Sequence, residues 1–282
     1  MGGVEQEWIF FAVRLPVRVN RRVNEPNPVE VLKRDRTIVA LGLAGIATLS
    51  WIYLIYMDWG MRHMDVGMEM VLMPAMQHWT AWDVVLVFMM WTVMMVAMMV
   101  PAASPVILLF AQINRRRNEQ QGPFVATGQF LLGYLTAWAG FSVLATLAQW
   151  GLLTAALVSP MMESTSKPLG AGLLLVAGLF QLSRLKYACL AHCRSPVGFL
   201  ATEWRPGSRG AFTMGLKHGG YCLGCCWALM GLLFALGVMN LLWVAGISAF
   251  VLLEKIAPAN QLVSRLSGLL FIGWAAWIVF AS

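Results

Sequence analysis

The run Lys217-His218-Gly219-Gly220-Tyr221-Cys222-Leu223-Gly224-Cys225-Cys226-Trp227 opens an apolar stretch that meets no further acidic or basic residue until Glu254. Placed on a helix at about 100° per residue, His218, Cys222, Cys225 and Cys226 fall at roughly 0, 40, −20 and 80°. The four therefore share one face, covering about a quarter to a third of the circumference. Gly220, Gly224 and Gly231 fall on the opposite side, where small residues let a neighbouring helix approach closely. Three thiols and an imidazole on one face suit a soft or borderline metal ion. A buried cysteine taken singly also reads as a small apolar filler.

Composition extends this reading to the whole chain. Of 282 residues, 59% are hydrophobic and 12% charged, and the mean hydropathy is +0.70. The uncharged stretches reach the roughly 20 residues that a bilayer span needs. The expected fold is an all-α integral membrane protein with no large soluble domain. The net charge of +7 belongs to the membrane flanks, and no nucleic-acid partner is expected. The five cysteines are odd in number and lie between 189 and 226, too close together for an extracellular disulfide framework.

Residues 1–36 carry Arg14, Arg18, Arg21, Arg22, Lys33, Arg34 and Arg36. They read as a basic segment on the cytoplasmic face of the membrane, with a turn over 24–28; a solvated tail is the plainer reading. Residues 37–282 form the polytopic membrane domain. Spans are expected at about 38–56, 83–110, within 124–158, at 169–183, from the cysteine motif to 238, a short one ending at 253, and at 262–280. With the N-terminus cytoplasmic, 18 of the 20 lysines and arginines fall on one side, Arg62 and Lys167 excepted. That is the positive-inside pattern, and seven spans put the C-terminus outside. No repeat relates the two halves, and no nucleotide-binding loop is present.

This topology sorts the soft ligands. A methionine-rich outer segment, 57–82, holds Met57, Met61, Met64, Met68, Met70, Met73 and Met76 with His63 and His78. Met57, Met61, Met64 and Met68 fall within about 60° on a helix. Neutral thioethers suit Cu(I) and discriminate against hard cations, although methionine also serves as adaptable apolar filler. The second span continues with Met89, Met90, Met94, Met95, Met98 and Met99, so that 13 of the 19 methionines lie between 57 and 99. Met90, Met94 and Met98 step down one face as a thioether ladder that avoids a buried charged ligand. Pro101 and Pro105 should kink that helix and free carbonyls beside the ladder. On the inner side, Cys189 and Cys193, one helical turn apart with His192 between, could converge on the 218–226 motif. The ligand types admit Cu(I), tetrahedral Zn(II) or an iron–sulfur cluster.

The blocks Met94-Met95-Val96-Ala97-Met98-Met99-Val100-Pro101, Leu185 to Pro196 (LKYACLAHCRSP), Lys217 to Trp227 and Glu254-Lys255 resemble the bacterial DUF2182-type family of predicted metal-binding integral membrane proteins. The resemblance covers roughly 38–280. It implies a copper chaperone or importer role linked to copper supply for an enzyme such as polyphenol oxidase, in the bacterial cytoplasmic (inner) membrane. The leading expectation is a non-enzymatic protein that captures Cu(I) outside on Met61, His63, Met64 and Met68. The ion then passes along Met90, Met94 and Met98 to Cys189, His192, Cys193, His218, Cys222, Cys225 and Cys226. The implied partners are the bilayer, a cytosolic metal acceptor, and a copper enzyme or larger membrane complex. Two other functions fit the residues: a thiol redox or haem protein, and a structural subunit packed through its glycine faces.

Overall fold

The computed structural model describes residues 28–62, 79–117, 123–157, 166–257 and 260–280. Among them the chain forms helices α1 (Pro28–Arg62), α2 (Ala81–Arg117), α3 (Pro123–Thr154), α4 (Lys167–Gln181), α5 (Arg184–Arg194), α6 (Pro196–Glu203), α7 (Gly207–Gly231), α8 (Leu233–Leu236), α9 (Leu241–Ile256) and α10 (Asn260–Phe280), and no strand. Most of the basic N-terminal segment, His63, Met64, Met68 and the rest of 63–78 lie outside the described residues.

Among the described residues, five helical stretches are long and apolar enough to cross a membrane: Arg34–Gly60, Ala81–Arg116, Ala126–Thr154, Gly207–Leu236 and Gln261–Phe280. A sixth arises if α4 and α5, which meet at a 65° bend, are taken as one broken span. Each expected span corresponds to a helix, but α9 has only 16 residues. At 1.5 Å per residue it covers about 24 Å of a hydrocarbon core of about 30 Å. The first helix also runs further than expected: Met57, assigned to the outer segment, is a buried residue of α1 (5% exposed), and Met61 lies in its last turn.

Capping residues set the remaining boundaries. Thr80 and Asp83 bond reciprocally at the start of α2, with Thr80 N–H donating to Asp83 Oδ2 at 2.8 Å and Asp83 N–H to Thr80 Oγ1 at 3.4 Å. Ser183 and Ser195 accept from Lys186 N and Gly198 N, starting α5 and α6 immediately after the preceding helices end. Gly237, at φ 95°, makes the reversal before α9, and Asn240 Oδ1 caps Leu242 N there.

Helix α2 occupies the centre, with Trp91, Met94, Met95, Ala97, Met98, Met99, Val100 and Ile107 all at 1% exposure or less. Its two prolines do free carbonyls, and both are satisfied. Pro101 cannot bond Ala97 O, which accepts from Trp51 Nε1 of α1 at 3.1 Å. Pro105 cannot bond Pro101 O, which accepts from Ser104 Oγ at 2.8 Å.

Two helix pairs, α3 with α7 and α4 with α10, meet backbone to backbone at glycines. A Cβ on Gly215 would fall on Phe130 O, and one on Gly133 would meet Phe212 O. One on Gly219 would stand 2.6 Å from Ala137 Cβ. The second seam is Gly178 against Gly268, where a Cβ on either would come within 2.9 Å of the other's carbonyl oxygen. This corrects the expected small-residue face of α7. Gly220 and Gly231 face open space, and Gly224 meets only the Cys189 side chain. The tight seam runs through Gly215 and Gly219, on the same side of the helix as Cys222 and Cys226.

Candidate metal site

Cys222, Cys225 and Cys226 are buried on α7 at 0, 2 and 1% exposure. The α4–α5 bend turns α5 back across α7, and Cys193, on the buried face of α5 with Lys186 and Leu190, joins them. Its sulfur lies 4.0 Å from Cys225 Sγ. For metal–sulfur bonds of about 2.3 Å, two ligating sulfurs stand about 3.8 Å apart in tetrahedral geometry and about 4.6 Å apart in line. The observed spacing falls between these. It is far beyond the roughly 2.05 Å of a disulfide, and all five cysteines are free.

Cys222 is the most elaborately held of the four. Lys255 Nζ reaches its sulfur from α9 at 3.1 Å, and the Tyr134 hydroxyl from α3 lies at 3.2 Å. Lysine can only donate, so the sulfur accepts from it, and the ammonium stands where it would balance the charge of a metal-bound thiolate. The same Tyr134 hydroxyl donates to Met99 O at 3.1 Å. One phenol thus links Cys222 to the backbone of α2 at Met99, one residue past the end of the ladder.

Cys225 and Cys226 turn their thiols back to Cys222 O, each at 3.0 Å. With the thiols engaged in this way, no three Cys, His, Asp or Glu side chains among the described residues converge as a ready metal cage. Loading an ion requires those protons to leave and the side chains to rotate. The donor set nevertheless fits a soft cation: four buried sulfurs from two helices, with one ammonium to balance charge.

The other expected ligands divide. His218, 2% exposed, stands one turn before Cys222 among the rings of Phe130, Tyr134 and Phe199. Its Nδ1 has no hydrogen-bond partner among the described residues. Cys189 lies at the edge of the cluster against Gly224. His192 is not brought in: it is exposed, stacked on Tyr221 at 4.4 Å, with Nδ1 bonded to Ala188 O. It follows Cys189 along the chain but occupies the outer face of α5. Met90, Met94 and Met98 are buried in α2 at 4, 1 and 1% exposure, as either packing or a ladder requires.

Behind the thiols lies a second polar group that ligand-spacing arguments miss. Lys186 Nζ donates to both Glu254 oxygens at 2.8 and 2.7 Å and to Gln181 Oε1. Gln181 Nε2 donates to Glu254 Oε1 at 3.0 Å and to Ser267 Oγ at 2.9 Å, and Ser264 Oγ donates to Glu254 Oε1 at 2.7 Å. Lys186 and Gln181 are wholly buried, and Glu254 is 2% exposed. Counting Lys186 as a flanking basic residue for orientation is therefore a misreading. The signal that finds Glu254 and Lys255 is two adjacent charges at the end of an otherwise apolar helix. Nothing marks Tyr134.

No curated protein and no solved structure matches the chain. The model of the PpoB2 copper chaperone family does match, over residues 88–278, a region that contains α2's methionines, the four thiols, Tyr134 and Lys255. The chain belongs to the PpoB2 copper chaperone family.

Proposed function

We propose that this protein is a membrane copper chaperone or importer whose cargo is Cu(I), held by Cys193, Cys222 and Cys225 with Cys226 beside them. The observation that carries the reading is the meeting of Cys193 and Cys225 at 4.0 Å across α5 and α7, next to a cysteine faced by a lysine. Thiolates hold Cu(I) more tightly than neutral thioethers, because the ligand is anionic as well as soft. Transfer from Met90, Met94 and Met98 to the thiols is therefore downhill, and Tyr134, bonded to the α2 backbone at Met99 and to Cys222, holds that part of α2 beside the thiols. Met61, His63, Met64 and Met68 would collect the ion on the outer face. A cytosolic acceptor or copper enzyme would remove it by ligand exchange. The expected topology, seven spans with the N-terminus cytoplasmic, would put the thiols near the reducing side, as this direction requires.

The test is anaerobic Cu(I) titration of purified protein in competition with a chelator, with X-ray absorption to count sulfurs. Wild type is expected to bind Cu(I) through sulfur. A Cys193→Ala, Cys225→Ala variant is expected to lose at least a hundredfold in affinity, and His192→Ala none. Equal affinity in wild type and the double variant would remove the thiols from the function.

A further inference from the structure

We infer that the buried network of Lys186, Glu254, Gln181, Ser264 and Ser267 is a positioning device that sets the distance between Cys193 and the thiols of α7. The inference rests on the copper reading of those thiols only for its consequence, because the positioning itself can be measured without copper.

The need for such a device lies in the backbone. Helix α5 has 11 residues and follows a 65° break at 182–183, so α4 does not continue into it and cannot dictate its direction. Its place has to be fixed by side chains. Lys186 and Cys193 are seven residues apart, about 20° from eclipsed on a helix, and with Leu190 they form the buried face of α5. Whatever holds Lys186 therefore sets the height and rotation of Cys193.

Glu254 holds it, and Glu254 directly precedes Lys255, whose ammonium meets Cys222. The other end of α5 is tied to the same place. Arg194 Nε donates to Lys255 O at 3.1 Å, and its Nη2 bonds Ala257 O. Helix α5 is thus fastened at both ends to the C-terminal turn of α9, and that turn touches the cluster itself. Ser264 and Ser267 bring α10 into the group, and Gln181 brings in the end of α4, so four helices agree on one carboxylate.

Apolar side chains of similar volume could fill this space, and a buried ion pair is a weak source of net stability. A charged, hydrogen-bonded network does what a greasy contact cannot: it admits one register and penalises its neighbours, because any slip leaves a buried charge unpaired. The bidentate contact of Lys186 with both Glu254 oxygens is of that kind.

The experiment uses the full chain in nanodiscs with Cys189, Cys222 and Cys226 replaced by serine, leaving Cys193 and Cys225. The rate of disulfide formation with diamide reports how closely the two thiols are held, and a thermal melt reports the fold. Adding Lys186→Met or Glu254→Gln is expected to slow crosslinking at least tenfold in protein that still melts cooperatively. Crosslinking at the parent rate in both variants, with only the melting temperature lowered, would reduce the network to a stability element and overturn the proposal. Should either variant fail to accumulate, Ser264→Ala removes a single hydrogen bond to Glu254. It is expected to slow the same reaction several-fold, and an unchanged rate there would equally overturn it. Wild type that binds no Cu(I) would sink the copper reading and leave the crosslinking result standing.

Discussion

Lys255 meets a sulfur instead of a carboxylate, and its value is tied to what that sulfur carries. A hydrogen bond to a charged partner contributes about 1.5–3 kcal/mol, which corresponds to roughly tenfold to hundredfold in a binding constant. Lys255→Met is accordingly expected to weaken Cu(I) binding by that factor. Lys255→Arg, which keeps the charge, is expected to lose less, and chelator competition measures both. An affinity unchanged in Lys255→Met would mean that Cys222 binds nothing charged. At this scale the cysteines were legible, because helical periodicity says which residues share a face. Tyr134 was not, since one tyrosine in an apolar run carries no sign of what lies across from it. His192 was misjudged through nearness in the chain: the residue beside a buried cysteine on a helix is turned about 100° away.

The glycines of α7 separate two roles that composition alone confuses. At Gly215 a methyl group would strike the backbone of Phe130, whereas at Gly220 it would meet nothing within 4 Å. Gly215→Ala must part α3 from α7 and is expected to cost several kcal/mol, as overpacking of a backbone contact does at the upper end of its range of about 1–3 kcal/mol or more. Gly220→Ala is expected to stabilise by about 0.5–1 kcal/mol through helix propensity. Thermal unfolding in detergent distinguishes them, and equal melting temperatures would contradict the seam. The glycine-rich character of the helix was readable from sequence. Its working face was not, because small residues occur on both sides and only the partner decides which side is used. The proline-freed carbonyls of α2 are a similar case: their existence follows from Pro101 and Pro105, but the indole of Trp51 that answers one of them comes from 46 residues earlier.

For the molecule as a whole, hydropathy found the seven long apolar helical stretches and their order, since apolar runs and their breaks are written directly in the chain, but not the separate short helices α5, α6 and α8. It could not say which helices are long enough to cross alone. Helix α9 and the bent α4–α5 pair depend on tertiary packing, and Lys186, counted from sequence as a flanking charge, is an interior one. Orientation is open to a direct measurement. A membrane-impermeant thiol reagent applied to intact cells should leave all five cysteines unlabelled and should reach Cys189, the least buried of them, after lysis; labelling from outside would reverse the topology. The seam at Gly215 and Phe130 also bears on time. If the thiols take an ion as proposed, the closed α3–α7 seam leaves that wall of the site no slack, so an ion reaching Cys222, Cys225 and Cys226 would be met by rotating side chains and departing protons, not by the slower parting of those two helices on the microsecond-to-millisecond scale. Arrival would then be quick and departure slow, and the pace of delivery would be set by the acceptor that comes to take the ion.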